Sequence, residues 1–204
     1  MLSLRPGCEQ CGTDLAPDSD QARICSFECT FCVDCATWKL LGICPNCGGE
    51  LVTRPRRPLE KLANSPASSE VVRKSHDVES HQAQVAERLA EGKLPEQSWV
   101  VSFTNSRVTN DDGYAATNDD GYAAMADRMD ALASEQPGYI GIDSVRGADG
   151  TGITVSRWSS IAAMVQWRRL GAHADAQRLG RADWYRSYRS DVARVDRTAS
   201  FERT

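Results

Sequence analysis

The sequence predicts an α+β protein in two parts: a small metal-binding module, then a domain whose elements run βαββαβ. Three observations predict it. All eight cysteines lie within residues 8–47 of a 204-residue chain. From Ser98 onward the apolar pattern alternates between the strand period and the helix period. The composition, 41% hydrophobic with 7% aromatics, is that of a folded globular chain. A formal charge of −4 gives no strong signal for nucleic acid or an acidic membrane surface. No apolar run approaches the ~20 residues that span a bilayer. The opening "MLSLRPGCEQCG" lacks the apolar core of a signal peptide. The expected compartment is therefore the cytoplasm, where disulfides rarely persist and clustered cysteines serve metal or redox chemistry.

The cysteines are spaced C-x2-C-x13-C-x3-C-x2-C-x2-C-x8-C-x2-C. A C-x2-C pair suits metal binding because one tight turn aims two thiolates at one ion, and two pairs complete a tetrahedral site. Cys8, Cys11, Cys25, Cys29, Cys32, Cys35, Cys44 and Cys47 are thus the candidate ligands of two closed, structural Zn²⁺ sites. A thioredoxin-like C-x-x-C would need a βαβ setting, and none surrounds these. One iron–sulfur cluster would leave four thiolates unused. Zinc would also supply folding energy that a thin core of Leu15, Ile24, Phe27, Phe31, Val33, Trp38, Leu40, Leu41 and Ile43 lacks. The spacing resembles the RING-type cross-brace, with cysteine at position 29 where most RING domains carry histidine. That resemblance implies Cys8, Cys11, Cys32 and Cys35 on one ion and Cys25, Cys29, Cys44 and Cys47 on the other. Sequential pairing, with Cys8, Cys11, Cys25 and Cys29 together, is the alternative. Residues 1–74, with "LRPGCEQCGTDLAP", "ARICSFECTFCVDC" and "CPNCGGELVTRPRRP", resemble a small bacterial cysteine-rich domain of unknown function. The resemblance implies zinc binding and no activity; a protein partner for the module is a further expectation.

The module is expected over 1–53 and a linker over 54–97. "RPRRP" reads as solvated chain, and prolines and serines argue against packing until about Ser75. "ESHQAQVAERLAEG" then reads as a short helix with Val78, Val85 and Leu89 near one face, ended by Gly92 and Pro95. His76 and His81 are read as structural or exposed, since eight cysteines already complete two sites.

The second domain is expected over 98–204. "SWVVSFTNSRV" alternates as a strand. "DGYAAMADRMDALASEQPG" has Tyr122, Met125, Met129 and Leu132 at helical spacing, Asp119 or Asp120 as N-cap and Pro137-Gly138 as the stop. "YIGIDSVRG" and "GITVSRW" are strands joined by a turn. "SSIAAMVQWRRLGAHADAQRLG" reads as one long helix capped by Ser159 or Ser160, and "YRSYRSDVARVDR" as the last strand. This order is that of a ferredoxin-like split βαβ fold. With both helices on one face, Trp99, Val101 and Ile142 cannot all be covered, which predicts a homodimer through the bare sheet face.

"QPGYIGIDSVRG", "GITVSRWSSIAAMVQWRRLGAHADAQ" and "WYRSY" resemble the antibiotic biosynthesis monooxygenase superfamily of dimeric α/β-barrels; Trp158-x8-Trp167 is the most recognisable word. The resemblance implies a cofactor-independent monooxygenase acting on a small aromatic or quinol, with no organic cofactor. The family's haem-degrading members use an asparagine on the first strand, a tryptophan on the second helix and a histidine ten residues later. Asn105 and Trp167 fit the first two, but Gln177 stands at the third place and His173 comes early. Oxygenation without a cofactor needs a dry pocket, a base and donors to an anion. Trp167, Asn105, Tyr139 and His173 are the candidate site residues, with Arg157 beside them. Core packing is the bland reading of Trp167 and Tyr139. The alternative function is a zinc-dependent binding or regulatory module whose monooxygenase-like domain only dimerises. The octapeptide "TNDDGYAA" occurs twice in tandem over 109–124 and reads as a duplication that lengthens a loop.

Overall fold

A computed structural model describes residues 1–94, 97–108 and 121–203. The chain divides into two compact units, Met1–Lys93 and Leu94–Thr204.

The first unit is built on β1 (Ala22–Ile24), β2 (Thr30–Cys32) and β3 (Val52–Thr53), an antiparallel sheet of order β2-β1-β3. A wide turn, Cys35–Lys39, closes with Leu40 N–H donating to the Cys35 carbonyl at 2.8 Å. Helix α1 (Val78–Ala90) starts at Asp77, whose carboxylate accepts from Ser80 N–H at 3.1 Å. Cysteines themselves form much of the core, packed with Leu15, Phe31, Leu40 and Leu51. Phe27, expected inside, is 73% exposed. It sits in the loop between Cys25 and Cys29, where the thiols turn inward and the intervening side chains turn out.

The 54–97 stretch departs from the solvated linker expected of it. Arg54 is 1% exposed, and its guanidinium donates to the carbonyls of Arg5, Leu15 and Ala16. Arg57 donates to those of Leu2, Ser65 and Pro66. These carbonyls lie in irregular chain, and buried backbone acceptors need donors from somewhere; the basic cluster supplies them. Helix α1 docks the same way. His81 Nε2 bonds the Leu40 carbonyl at 3.0 Å, Gln82 donates to Trp38 and Lys39, and Arg88 donates to Gly48 at 3.1 Å. His81 is thus structural, as read. Pro95 lies outside the described residues.

The second unit contains β4 (Trp99–Arg107), α2 (Tyr122–Ser134), β5 (Tyr139–Arg146), β6 (Thr151–Trp158), α3 (Ile161–Arg169), α4 (Gly171–Leu179) and β7 (Tyr185–Arg194). The sheet is antiparallel with order β5-β6-β4-β7, as a ferredoxin-like fold requires. Ser160 caps α3, its hydroxyl accepting from Ala163 N–H at 3.1 Å. The expected caps of α2, Asp119 and Asp120, and most of the octapeptide repeat lie outside the described residues; Gly121, at φ 76°, precedes the helix.

Two expectations for this unit are corrected. The long helix is broken at Leu170, whose ψ of 132° is extended and whose N–H closes α3 onto the Trp167 carbonyl. Gly171 follows, and its weak helix propensity lowers the cost of interrupting the helix there. Val101 and Ile142 lie on the covered face, lining a cavity between sheet and helices. Strand alternation puts the other set outside: Val145 pairs with Ile153 across β5 and β6, and they are 67% and 41% exposed. No helix among the described residues is long and apolar enough to cross a membrane.

Candidate metal centres and cavity

In the first unit the thiols fall into interleaved groups. The sulfur atoms of Cys8, Cys11, Cys32 and Cys35 lie within 4.8 Å of one another, as do those of Cys25, Cys44 and Cys47. Cys29 is buried beside Cys25 and hydrogen-bonds to it. Knuckles one and three therefore meet, the cross-brace order rather than the sequential one. Four thiolates at ~2.3 Å from a tetrahedral Zn²⁺ would stand ~3.8 Å apart, and the Cys11 and Cys32 sulfurs are 3.7 Å apart. The donor set and spacing fit a divalent metal. Burial, then Cys8 and the neighbouring thiols, pushes the Cys35 thiol up; burial likewise raises Cys32, Cys25 and Cys44. For Cys11 burial pushes upward too, but hydrogen bonds from Thr13, Cys8 and Cys35 outweigh it and bring the thiol to about 6. A group of such thiols cannot ionise together without a cation among them.

Between the sheet and the helices of the second unit lies a cavity of about 260 Å³. The register shows how the sheet builds its floor. Ser144, Thr154, Phe103 and Ser190 form one row across β5, β6, β4 and β7; Ile142, Ser156, Val101 and Val192 form the next. Ser144 and Thr154 hydroxyls bond at 2.9 Å. Met125, Met129 and Met164 roof the cavity, and Trp184, Tyr185 and Tyr188 close one end. From α4, His173 and Gln177 stand one turn apart on the lining face, and Arg181, in the wide turn Gly180–Trp184 that follows, lines the cavity too.

Of the four candidate residues, the structure brings Trp167 and His173 together on this cavity. Their rings stack at 4.5 Å and 16°, and Trp167 also stacks on Trp158 at 6.1 Å. The W-x8-W spacing thus joins the end of β6 to the inner face of α3. The helix break turns His173 back so that Nδ1 lies 3.2 Å from the Trp167 carbonyl. A carbonyl only accepts, so Nδ1 carries the proton and Nε2 of the neutral ring keeps its lone pair. Burial holds the His173 pKa below the usual imidazole value; the carbonyl bond opposes this and Arg168 adds to it.

Asn105 and Tyr139 are not among the lining residues. Asn105 is buried on β4, its Oδ1 accepting from Arg146 Nη1 at 3.1 Å. Arg146 also donates to the Tyr122 hydroxyl and to the Gly150 carbonyl. Its guanidinium lies where a Cβ on Gly152 would stand, so the glycine opens its path across β6. Tyr139 packs edge-on against Trp158 at 5.6 Å, the bland reading made for it. Arg157 is on the opposite face, paired with Asp143 at 2.6 Å, because it alternates with Ser156 and Trp158.

Sequence reasoning missed Tyr185, Gln177 and Arg146. Tyr185 is held protonated by burial and by Tyr122 beside it, so it stays a hydrogen-bond donor. The i, i+4, i+8 stripe through His173 was a usable signal for Gln177, whereas Arg146 needed the strand register.

The geometry defines a protein with a thiol-rich module able to hold metal ions and a ferredoxin-like domain enclosing an aromatic-walled cavity. By its matches the chain belongs to the family described as Antibiotic biosynthesis monooxygenase, over residues 118–179, and to that described as Protein of unknown function (DUF1272), over residues 1–57. The protein R02474 of Rhizobium meliloti is 65% identical over 69 residues, 34% of this chain and 82% of the relative. YqjZ of Bacillus subtilis is 51% identical over 111 residues, 54% of this chain and 90% of the relative. Among solved structures, protein SO0527 from Shewanella oneidensis matches 49% of this chain and 92% of its own at 12% identity, with a TM-score of 0.42. SnoaB, a cofactor-independent oxygenase from Streptomyces nogalater, matches 53% and 99% at 12% identity, with a TM-score of 0.38.

Proposed function

We propose that the second unit is a cofactor-independent monooxygenase for a small planar phenol or quinol, and that the first unit is a fold held by two structural zinc ions. The observation that carries the oxygenase reading is the pairing of His173 with Trp167 on the cavity wall. Nε2 of His173 takes a proton from an acidic CH or OH of the substrate. Trp167 and the methionines bind the ring and exclude water, and Tyr185 donates to the oxyanion that forms. The substrate anion then passes an electron to O₂, and the two radicals join as a peroxide. Loss of water from a peroxide at a former CH₂ leaves a carbonyl. One oxygen atom enters the product and the other leaves as water; the carbon supplies all four electrons, so no reductant is consumed.

Closed four-thiolate zinc sites leave no open position for substrate, and a reducing compartment such as the cytoplasm keeps the thiols available. The exposed Val145–Ile153 face is where a second copy would pair, giving the homodimer. The test is an ¹⁸O₂ incubation of the zinc-loaded full chain with an anthrone-type substrate and no reductant. One labelled atom in the product and one in water is expected; an absolute need for NAD(P)H or flavin would overturn the reading.

A further inference from the structure

Glu9 lies inside the first cysteine knuckle, between Cys8 and Cys11, and is 1% exposed. Its side chain reaches three other segments. Oε1 accepts from Thr30 N–H at 2.8 Å and from Arg5 Nη1 at 2.8 Å. Oε2 accepts from Asn46 Nδ2 at 3.1 Å. Its backbone is engaged as well: Glu9 N–H donates to the Thr30 carbonyl at 2.8 Å, and its own carbonyl accepts from Lys74 N–H at 2.9 Å. Thr30 stands between Cys29, which hydrogen-bonds to Cys25 of the second thiol group, and Cys32 of the first, and Asn46 stands inside the Cys44–Cys47 knuckle. One buried carboxylate therefore ties the knuckle of one site to the knuckle of the other.

We propose that Glu9 couples the two thiol sites, so that two metal ions enter and leave the module as a pair. This rests on the reading that both sites hold zinc. A buried carboxylate is tolerated only while its acceptor capacity is filled. When the first site empties and its knuckle loosens, Glu9 leaves with it. Thr30 N–H and the Asn46 amide then lose their acceptor inside the second site, and that site holds its ion less well. The loss is reciprocal: a free Cys44–Cys47 knuckle removes Asn46 and leaves Oε2 of Glu9 buried without a donor. Coupling of this kind favours the empty and doubly loaded forms over the singly loaded one. Glu9 is thus a positioning residue and not a ligand.

The test is native mass spectrometry of the full chain titrated with Zn²⁺, comparing wild type, Glu9→Gln and Asn46→Ala. Glu9→Gln keeps the shape but puts an NH₂ donor where one of the two carboxylate oxygens accepts; Asn46→Ala cuts only the second-site link. Leu15→Ala, a buried change in the same core at a residue that is not a hydrogen-bond partner of Glu9, is the control for general weakening. At one equivalent of zinc, wild type is expected as empty and two-zinc protein. In both network variants the square of the one-zinc fraction should rise at least tenfold against the product of the other two fractions, and in the control it should not. A wild type that binds fewer than two zinc ions would remove the zinc reading itself. Two zinc ions with a binomial mixture in wild type, or an unchanged mixture in Glu9→Gln and Asn46→Ala, would overturn the coupling.

Discussion

Replacing Trp167 by alanine tests how far the cavity wall is also the core of the second unit. Trp167 is 8% exposed and stacked between Trp158 and His173. Truncating a buried tryptophan to alanine costs about 3–5 kcal/mol, and each aromatic pair adds about 0.5–1.5 kcal/mol beyond area. One flank of this ring already faces the cavity, where it has few partners to lose, so the low end applies: about 3 kcal/mol. A domain of this size is stable by about 5–15 kcal/mol, and one kcal/mol shifts its Tm by roughly 4–8 °C. The Trp167→Ala variant should therefore melt at least about 12 °C lower yet remain folded at 25 °C. Trp167→Phe keeps a ring between the same neighbours and should lose about 1–2 kcal/mol. Urea unfolding of the metal-loaded full chain, followed by far-UV circular dichroism, measures both. The stacking account would be refuted by an alanine variant within about 0.5 kcal/mol of wild type. The His173 Nδ1 bond is to the backbone carbonyl at 167, so the imidazole keeps its tautomer in both variants. Lost activity in Trp167→Phe would accordingly report the cavity and not the base.

Further outcomes can be checked directly. Chelating the metal should unfold Met1–Lys93 and leave the helix and sheet signal of Leu94–Thr204, seen as the loss of one of two thermal transitions. Arg54→Ala strips three carbonyls of a buried donor and should destabilise the first unit by about 2–4 kcal/mol in the same assay, whereas Arg56→Ala should be near neutral. The folded-state pKa of His173 lies below its unfolded value of about 6.5, so only the unfolded chain takes up that proton near pH 6. Its contribution makes the second unit lose stability on acidification below that value, and a His173→Gln chain should show a flatter stability–pH curve. The activity's acid limb should likewise fall below the ordinary imidazole range. Val145→Asp should convert a dimer to a monomer by sedimentation, since a buried unpaired carboxylate at the Val145–Ile153 face is costly.

Much of the second unit was legible because its signals are periodic. Alternation placed β4, β5 and β6, and the Ser159–Ser160 pair marked the start of α3, where Ser160 is the cap. The faces were not legible, because Trp99, Val101 and Ile142 look alike as apolar letters whichever side the helices cover. Nor was the break at Leu170, where one glycine sits inside an unbroken helical pattern, although that break is what turns His173 onto Trp167. In the first unit the cysteine spacing pointed to the eight thiols as candidate ligands, and resemblance alone favoured the interleaved grouping. Residues 54–93 pack by donating to backbone carbonyls, a use of Arg54, Arg57 and Gln82 that leaves no apolar period to read. Glu9 and Asn46 were passed over because a polar residue between two cysteines looks solvent-facing until the knuckles are brought together.

The central claim is that His173 serves as the base of a cofactor-free oxygenation beside Trp167. Oxygen consumption by the zinc-loaded full chain, with anthrone- and quinol-type substrates and no added reductant, tests it most directly when His173→Gln is run alongside. The expected result is one O₂ per substrate in wild type and a loss of about 10²-fold or more in the variant, with both proteins equally folded. Equal turnover in the two, or binding of the whole substrate panel with no oxygen consumed, would contradict it.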